Sequence, residues 1–190
     1  SYIYKAIESI LHNLPDKHFT IVIKSTVPIG TTNKIRDFIT FKGISSKQCD
    51  VVSNPEFLRE GTAIHDFMVP DRIVCGGTDS SAIKKIRFLY QPLIDQNIPF
   101  IITTPTTSEA IKYVSNCFLA VKLSYMNEIA NLCEATGACI TTLSHAVGLD
   151  KRINPHFLTP GPGFGGSCLP KDLIGLLRTA QEAGTALYTV

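Results

Sequence analysis

The chain has 190 residues, 44% hydrophobic and 18% charged, and its Lys+Arg 18 against Asp+Glu 16 leave a formal charge of +2. That apolar content suffices for one core of ordinary size or two small ones, and the scattered basic residues form no stripe of the kind that tracks a phosphate backbone, which argues against nucleic acid as a partner. No apolar run approaches the roughly 20 residues of a membrane span, the first residues lack the features of a signal peptide, and the chain is expected to be soluble.

The sequence opens directly in an amphipathic stretch with Ile3, Ile7, Ile10 and Leu11 at helical spacing, as though in mid-domain. Four short runs rich in β-branched residues then predict strands: Phe19 to Ser25, Asp50 to Asn54, Arg72 to Gly77 and Pro99 to Thr104. Between them, Gly30 to Thr40 and Ser80 to Tyr90 carry apolar residues at helical steps. Residues 1–105 are therefore expected to alternate strand and helix around a mostly parallel sheet, half of a doubly wound α/β fold.

From Ser108 the period changes. Ile111, Val114, Phe118, Val121, Tyr125, Ile129 and Leu132 recur at steps of three and four as far as Gly137, which predicts one long helix of roughly 40 Å in residues 106–190, a central helical domain. Thr106, Thr107 or Ser108 can cap its start and Gly137 can end it. A second helix is expected over Ile140 to Val147, closing at Gly148. Pro155 to Pro170 holds four glycines and four prolines and is expected to be a shaped loop.

Six cysteines, Cys49, Cys75, Cys117, Cys133, Cys139 and Cys168, show no C-x-x-C spacing. That pattern implies reduced thiols in a cytoplasm and argues against structural zinc. The segment GFGGSCLPKD, Gly163 to Asp172, carries the most chemistry. Pro170 suits the first helical position, which sets Cys168 at a helix N-terminus, where free N–H groups, the helix dipole and a nearby Lys171 favour a thiolate. Two readings stay open from spacing alone: a nucleophile, or a cysteine that fills space in a glycine-rich turn.

GFGGSCLPKD resembles the active-site loop of the UDP-glucose/GDP-mannose dehydrogenase family, the nucleotide-sugar 6-dehydrogenases. Three further blocks resemble that family in the same order: KSTVPIGTT from Lys24, NPEFLREGTAIHDF from Asn54, and SEAIKYVSNCFLAVKLSYMNEIANLCEATGA from Ser108. The resemblance implies a reaction in which NAD oxidises the C6 alcohol of a nucleotide sugar twice, to a carboxylate, through an enzyme-bound aldehyde and a cysteine thioester; the uronate product belongs to polysaccharide biosynthesis. It implies Cys168 as the thiol that captures the aldehyde and Glu56 as the acid/base carboxylate of thioester hydrolysis. Lys112 and Asn116, four apart on one helix face, are implied to stabilise charge on the C6 oxygen. Asp172 and Thr26 are implied to position the hydrolytic water. Phe57, Leu58, Glu60, Phe157 and the run from Thr159 to Gly165 are implied to line the sugar-nucleotide cleft, with Arg152 reaching the substrate across a dimer interface. Ser25, Thr26, Glu60, Cys168 and Lys171 are implied on the cofactor side.

The resemblance also implies a Rossmann-like NAD domain, here its C-terminal part, and a homodimer built on the long helix. No G-x-G-x-x-G opens a βα unit in these residues, so the resemblance covers about the middle half of a family member. These 190 residues alone are expected neither to bind NAD tightly nor to turn over. UDP-glucose is the expected substrate, with GDP-mannose the alternative. Two other classes remain: a truncated paralogue serving as a dimerisation or regulatory module, and a cysteine hydrolase using His156 as its base.

Overall fold

A computed structural model of the chain describes residues 2–13 and 17–189. The chain divides into two compact units, Ser1–Lys112 and Tyr113–Val190.

In the first unit the elements run α1 (Tyr2–His12), β1 (Phe19–Ile23), α2 (Thr31–Phe41), β2 (Cys49–Ser53), α3 (Ala63–Met68), β3 (Ile73–Gly76), α4 (Ser80–Leu89), α5 (Gln91–Ile94) and β4 (Phe100–Thr103). Every predicted strand is present: β1, β3 and β4 are each shorter by two residues, and β2 keeps its length but starts one residue earlier. The sheet order is β1-β2-β3-β4. β1 and β2 are parallel, with Phe19 opposite Cys49 and Ile23 opposite Ser53, and β3 and β4 are parallel, with Ile73 opposite Phe100. The two halves join antiparallel through one residue pair, Ser53 and Gly76, so the sheet is mostly parallel with one reversed seam.

Side chains alternate across a strand, and here the alternation feeds two cores. Ile21, Ile23 and Val51 pack with Ile7 of α1 and with Ile35 and Ile39 of α2 on one face. Val52 and Cys75 pack with Ala82 and Ile86 of α4 on the other. All five residues of β2 are buried, as a strand covered on both faces requires. Asp79 starts α4 by accepting from the N–H groups of Ser81 (2.7 Å) and Ala82 (2.9 Å), the usual service of an N-cap aspartate.

The long helix α6 spans Pro105–Thr136, 32 residues, one turn earlier than its apolar period predicts. Its cap is Thr104 and none of the three residues expected: the Thr104 Oγ1 accepts from Thr107 N at 3.2 Å, and the Thr104 carbonyl accepts from Ser108 N at 3.0 Å. Gly137, with φ of 77°, ends it in the left-handed conformation that glycine tolerates.

In the second unit α6 presents two faces. Tyr113, Cys117, Ala120, Met126 and Cys133 are buried, whereas Val114, Phe118, Tyr125 and Leu132 of the apolar stripe are exposed, each by more than half. After α6 come α7 (Ile140–Gly148) and α8 (Leu169–Glu182). The loop between them is tied down at several points. Ser144 Oγ donates to the Leu158 carbonyl, Lys122 Nζ donates to the Ile153 carbonyl at 3.1 Å, and Gly161 N donates to Asn127 Oδ1 at 2.8 Å. Leu158 is buried beneath it.

Candidate functional site

The candidate residues divide between the two units. In the first, they gather at the carboxyl ends of β1 and β2, where open α/β sheets bind their ligands. Asn54 directly follows β2 and is 2% exposed. Its Nδ2 donates to the Val74 carbonyl at 2.7 Å, and its Oδ1 accepts from Tyr90 Oη at 2.8 Å and from Lys24 Nζ at 3.2 Å. This network fixes the loop that Glu56 occupies. Burial pulls the Lys24 ammonium below its usual value; Glu56 opposes that shift and Lys112 adds to it.

Glu56 has two partners. Its Oε2 accepts from Leu58 N at 2.6 Å, a local turn, and its Oε1 lies 3.2 Å from Lys112 Nζ. The Lys112 side chain is only 6% exposed, which excludes a solvated helix face as its setting. Phe57 has two cations over its ring, the Arg72 guanidinium 4.1 Å and Lys112 Nζ 5.4 Å from its centre, a favourable arrangement for a ring quadrupole. Leu58 and Glu60 are exposed on the same loop, Ser25 is exposed and Thr26 half-buried in the loop after β1.

One residue that sequence reasoning passed over holds this loop. Asp66, on α3, accepts from Arg59 N (2.8 Å), Arg59 Nε (3.0 Å), Arg59 Nη2 (2.6 Å) and Thr62 Oγ1 (3.1 Å). The Arg59 guanidinium holds its carboxyl well below the usual carboxylate range. Arg59 precedes α3 and Asp66 lies within it, so the pair does not belong to one element whose period could signal it.

In the second unit Cys168 is the N-cap of α8 and is exposed, as its spacing predicts; Pro170 falls one position later, second in the helix. Two expected details differ. The thiol makes no capping hydrogen bond to the helix, and Lys171 Nζ lies on Asp172 Oδ1 at 2.5 Å, a carboxylate being the stronger electrostatic partner. Asp172 is 1% exposed, and its other oxygen accepts from Asn116 Nδ2 at 2.6 Å. Asn116, Asp172 and Lys171 therefore form one connected group, at the first turn of the helix that Cys168 precedes.

The remaining cysteines separate by environment. Burial pushes Cys49 and Cys75 up to about 11, and burial, reinforced by Asp172, raises Cys117. Cys139, exposed at the N-cap of α7, is lowered by hydrogen bonds from the Thr142 hydroxyl and from the Thr142 and Thr141 N–H groups. Burial thus bars Cys49, Cys75 and Cys117 from thiolate chemistry at neutral pH.

Arg152 is paired within its own turn: its Nη2 lies 2.6 Å from Asp150 Oδ2 and its Nε 3.0 Å from Asp150 Oδ1. Phe157 has φ of 62°, a left-handed backbone rare for an aromatic residue, and Thr159 and Gly165 are exposed. Lys122 and Asn127, which anchor this loop from α6, were not singled out by the sequence, since a Lys and an Asn on a helix read as solvated.

Residues 1–94 match the family model described as the NAD binding domain of the UDP-glucose/GDP-mannose dehydrogenase family, and residues 106–190 match the model of its central domain. Among curated proteins the chain is similar to the UDP-glucose 6-dehydrogenase of Rickettsia typhi, 50% identical over 181 residues, 95% of this chain and 41% of the relative. It is likewise similar to that of Rhizobium meliloti, 47% identical over 193 residues, 100% of this chain and 44% of the relative. Among solved structures it is similar to a UDP-glucose dehydrogenase from Pyrobaculum islandicum, with a TM-score of 0.84 at 39% identity, covering 91% of this chain and 39% of that one. The chain spans about two fifths of the length of these proteins.

Proposed function

The chain belongs to the UDP-glucose/GDP-mannose dehydrogenase family, and from that premise we propose that the whole protein oxidises the C6 alcohol of UDP-glucose to the carboxylate, with Cys168 as covalent nucleophile. The observation that carries the reading is Cys168 itself: an exposed thiol at the N-cap of α8, four residues before a buried Asp172 that Asn116 holds in place. An i to i+4 step puts a thiol and a carboxylate on one helix face, the arrangement that forming and hydrolysing a thioester requires.

NAD supplies the acceptor for the two hydrides that leave C6. On the side of this chain, the exposed Ser25 and the half-buried Thr26 after β1 lie at the sheet end where such a cofactor fits, and Glu60, Cys168 and Lys171 complete the set proposed to hold it. Lys112, a buried cation, and Asn116, an amide donor, stabilise negative charge on the C6 oxygen. The Cys168 sulfur adds to the aldehyde carbon to give a thiohemiacetal, and loss of the second hydride turns this into a thioester. Water then attacks the thioester carbon while Glu56 takes its proton, Asp172 and Thr26 orient it, and the thiol leaves. The balance is one alcohol and one water in, one carboxylic acid, two hydrides and two protons out, with Cys168 restored.

Phe57, Leu58, Glu60, Phe157 and Thr159 to Gly165 contact the sugar nucleotide in this reading. Arg152 reaches the substrate of a partner subunit after release from Asp150. The exposed Val114, Phe118, Tyr125 and Leu132 on α6 favour a homodimer. No helix among the described residues is long and apolar enough to cross a membrane, and the free cysteines fit a cytoplasmic protein.

The test is the full-length protein given NAD with UDP-glucose or GDP-mannose, following NADH and product together. Two NADH per uronate from UDP-glucose is the expected result. Preference for GDP-mannose would move the substrate, and NAD-independent ester hydrolysis without NADH would replace the reading with a cysteine hydrolase.

A further inference from the structure

We infer that Glu109 is a positioning residue that fastens the loop carrying Thr26 to the helix carrying Lys112. The inference rests on the proposed roles of those two residues and deepens that reading.

The need arises in α2. Its N-cap is Gly30, with φ of 90°, and no side chain of its own caps it. The first N–H groups of a helix have no partner within the helix and must find one outside. They find it far along the chain. Glu109, 3% exposed on α6, accepts from Gly30 N at 2.5 Å through Oε2, and from Thr32 N at 2.7 Å and Thr32 Oγ1 at 2.6 Å through Oε1. Thr32 is fully buried. Three donors and the positive end of a helix dipole are what a buried carboxylate needs to offset its lost hydration.

The attachment matters because of what stands on either side of it. Toward the N-terminus, Thr31 N and Oγ1 both bond the Pro28 carbonyl, at 3.0 and 2.5 Å, so the segment from Thr26 to Gly30 has little slack between β1 and the clamp. On α6, Lys112 follows Glu109 by three residues and shares its side of the helix, with Nζ on Glu56. One helical turn thus grips two loops, Ser25–Gly30 through Glu109 and Asn54–Leu58 through Lys112. The separation of Thr26 from Lys112 is set by Glu109, without Glu109 touching substrate.

The experiment is Glu109→Gln in the full-length protein, read by steady-state kinetics and by amide hydrogen exchange. Glutamine keeps the shape but turns one acceptor into an NH2 group that cannot receive Gly30 N or Thr32 N. Exchange at Gly30 and Thr32 should speed up while β2 amides stay protected, and kcat should fall about a hundredfold, the order expected for misplacing groups by about 1 Å, with KM for the nucleotide sugar little changed. A purely structural role would lower the amount of folded enzyme without this split. If Glu109→Gln does not fold, Glu109→Asp and Thr32→Val, which lose reach or one donor, are read by the same split. A folded variant with faster exchange and unchanged kcat overturns the positioning role, and unchanged exchange overturns the clamp whatever the activity. Wild-type protein that makes no NADH from either nucleotide sugar instead fells the functional reading, and the exchange data still decide the clamp.

Discussion

Lys112 Nζ stands 3.2 Å from Glu56 Oε1 with the lysine side chain 6% exposed and the glutamate side chain 30% exposed, so a buried cation is balanced by a carboxylate that keeps access to solvent. That asymmetry is compatible with the roles proposed for the pair, Lys112 toward the C6 oxygen and Glu56 toward the hydrolytic water. Lys112→Ala in the full-length protein is expected to lower kcat by about 10²–10³, the usual effect of removing one donor from a developing oxyanion. Initial rates of NADH formation check it, and an unchanged kcat would remove Lys112 from the chemistry.

Asn116→Ala strips one donor from Asp172, whose carboxylate is almost completely buried. Leaving that oxygen unsatisfied is expected to cost about 1–3 kcal/mol. Urea unfolding of the full-length variant measures it. Equal stability of variant and parent would mean that water replaces the amide.

Gly76 sits where β3 meets the start of α6, and a Cβ there would lie 2.5 Å from Ser108 Cβ, 2.7 Å from the Thr104 carbonyl oxygen and 2.8 Å from Pro105 Cα. Two of those atoms are backbone and cannot step aside. Gly76→Ala is expected to destabilise by about 1–3 kcal/mol or more through overpacking, whereas Gly161→Ala, with nothing within 4 Å, should be tolerated. Thermal unfolding of both variants separates them, and equal melting temperatures would contradict the close approach.

The four strands were legible because each is a short β-branched run bounded by turn residues, and α6 because its apolar steps persist from Ile111 to Leu132, about six turns. The antiparallel seam was not, since it rests on a single pair, Ser53 with Gly76, that no local pattern encodes. Helices α3 and α5 span six and four residues, too few to show a period. On α6 the legible stripe is half-buried at Ile111, Val121 and Ile129 and exposed at Val114, Phe118, Tyr125 and Leu132. The buried face, Tyr113, Cys117, Ala120, Met126 and Cys133, is small and mixed and gives weak periodicity. For the site, the sequence supplied Cys168, Asp172, Glu56 and Lys112 through their motifs, but Glu109 caps a helix 77 positions away, and separations of that kind are fixed only by the tertiary fold.

The Arg59–Asp66 clamp carries a pH signature. Asp66 is held below the ordinary range chiefly by the Arg59 hydrogen bond, so its folded pKa lies below its unfolded value of roughly 3.9. As pH falls through that unfolded value, the unfolded chain takes up the proton first, and stability drops until the folded carboxyl is protonated too. Asp66→Asn should flatten this loss below about pH 4, relative to the parent, in melts taken at a series of acid pH values. Parallel curves for variant and parent would show that the clamp contributes no acid sensitivity.

Cys168→Ser separates the two exposed cysteines and the two oxidations. A serine hydroxyl is a far weaker nucleophile at neutral pH than a thiol, and an oxygen ester is harder to hydrolyse than a thioester, so the second half of the reaction should suffer most. In the full-length protein, uronate production is expected to fall by about 10³-fold or more. In the proposed reaction the first hydride loss needs Lys112 and Asn116 but no covalent bond, so one NADH per active site is expected to form slowly, leaving aldehyde or an ester-linked enzyme. Cys139→Ser is the matched control, because Cys139 is the exposed cysteine whose thiol is drawn below its usual value by Thr142 and Thr141. If thiolate character alone selected the nucleophile, Cys139→Ser would abolish turnover and Cys168→Ser would not. Single-turnover NADH formation with intact-mass measurement of both variants decides between them, and wild-type turnover to the uronate in Cys168→Ser would remove Cys168 from the mechanism.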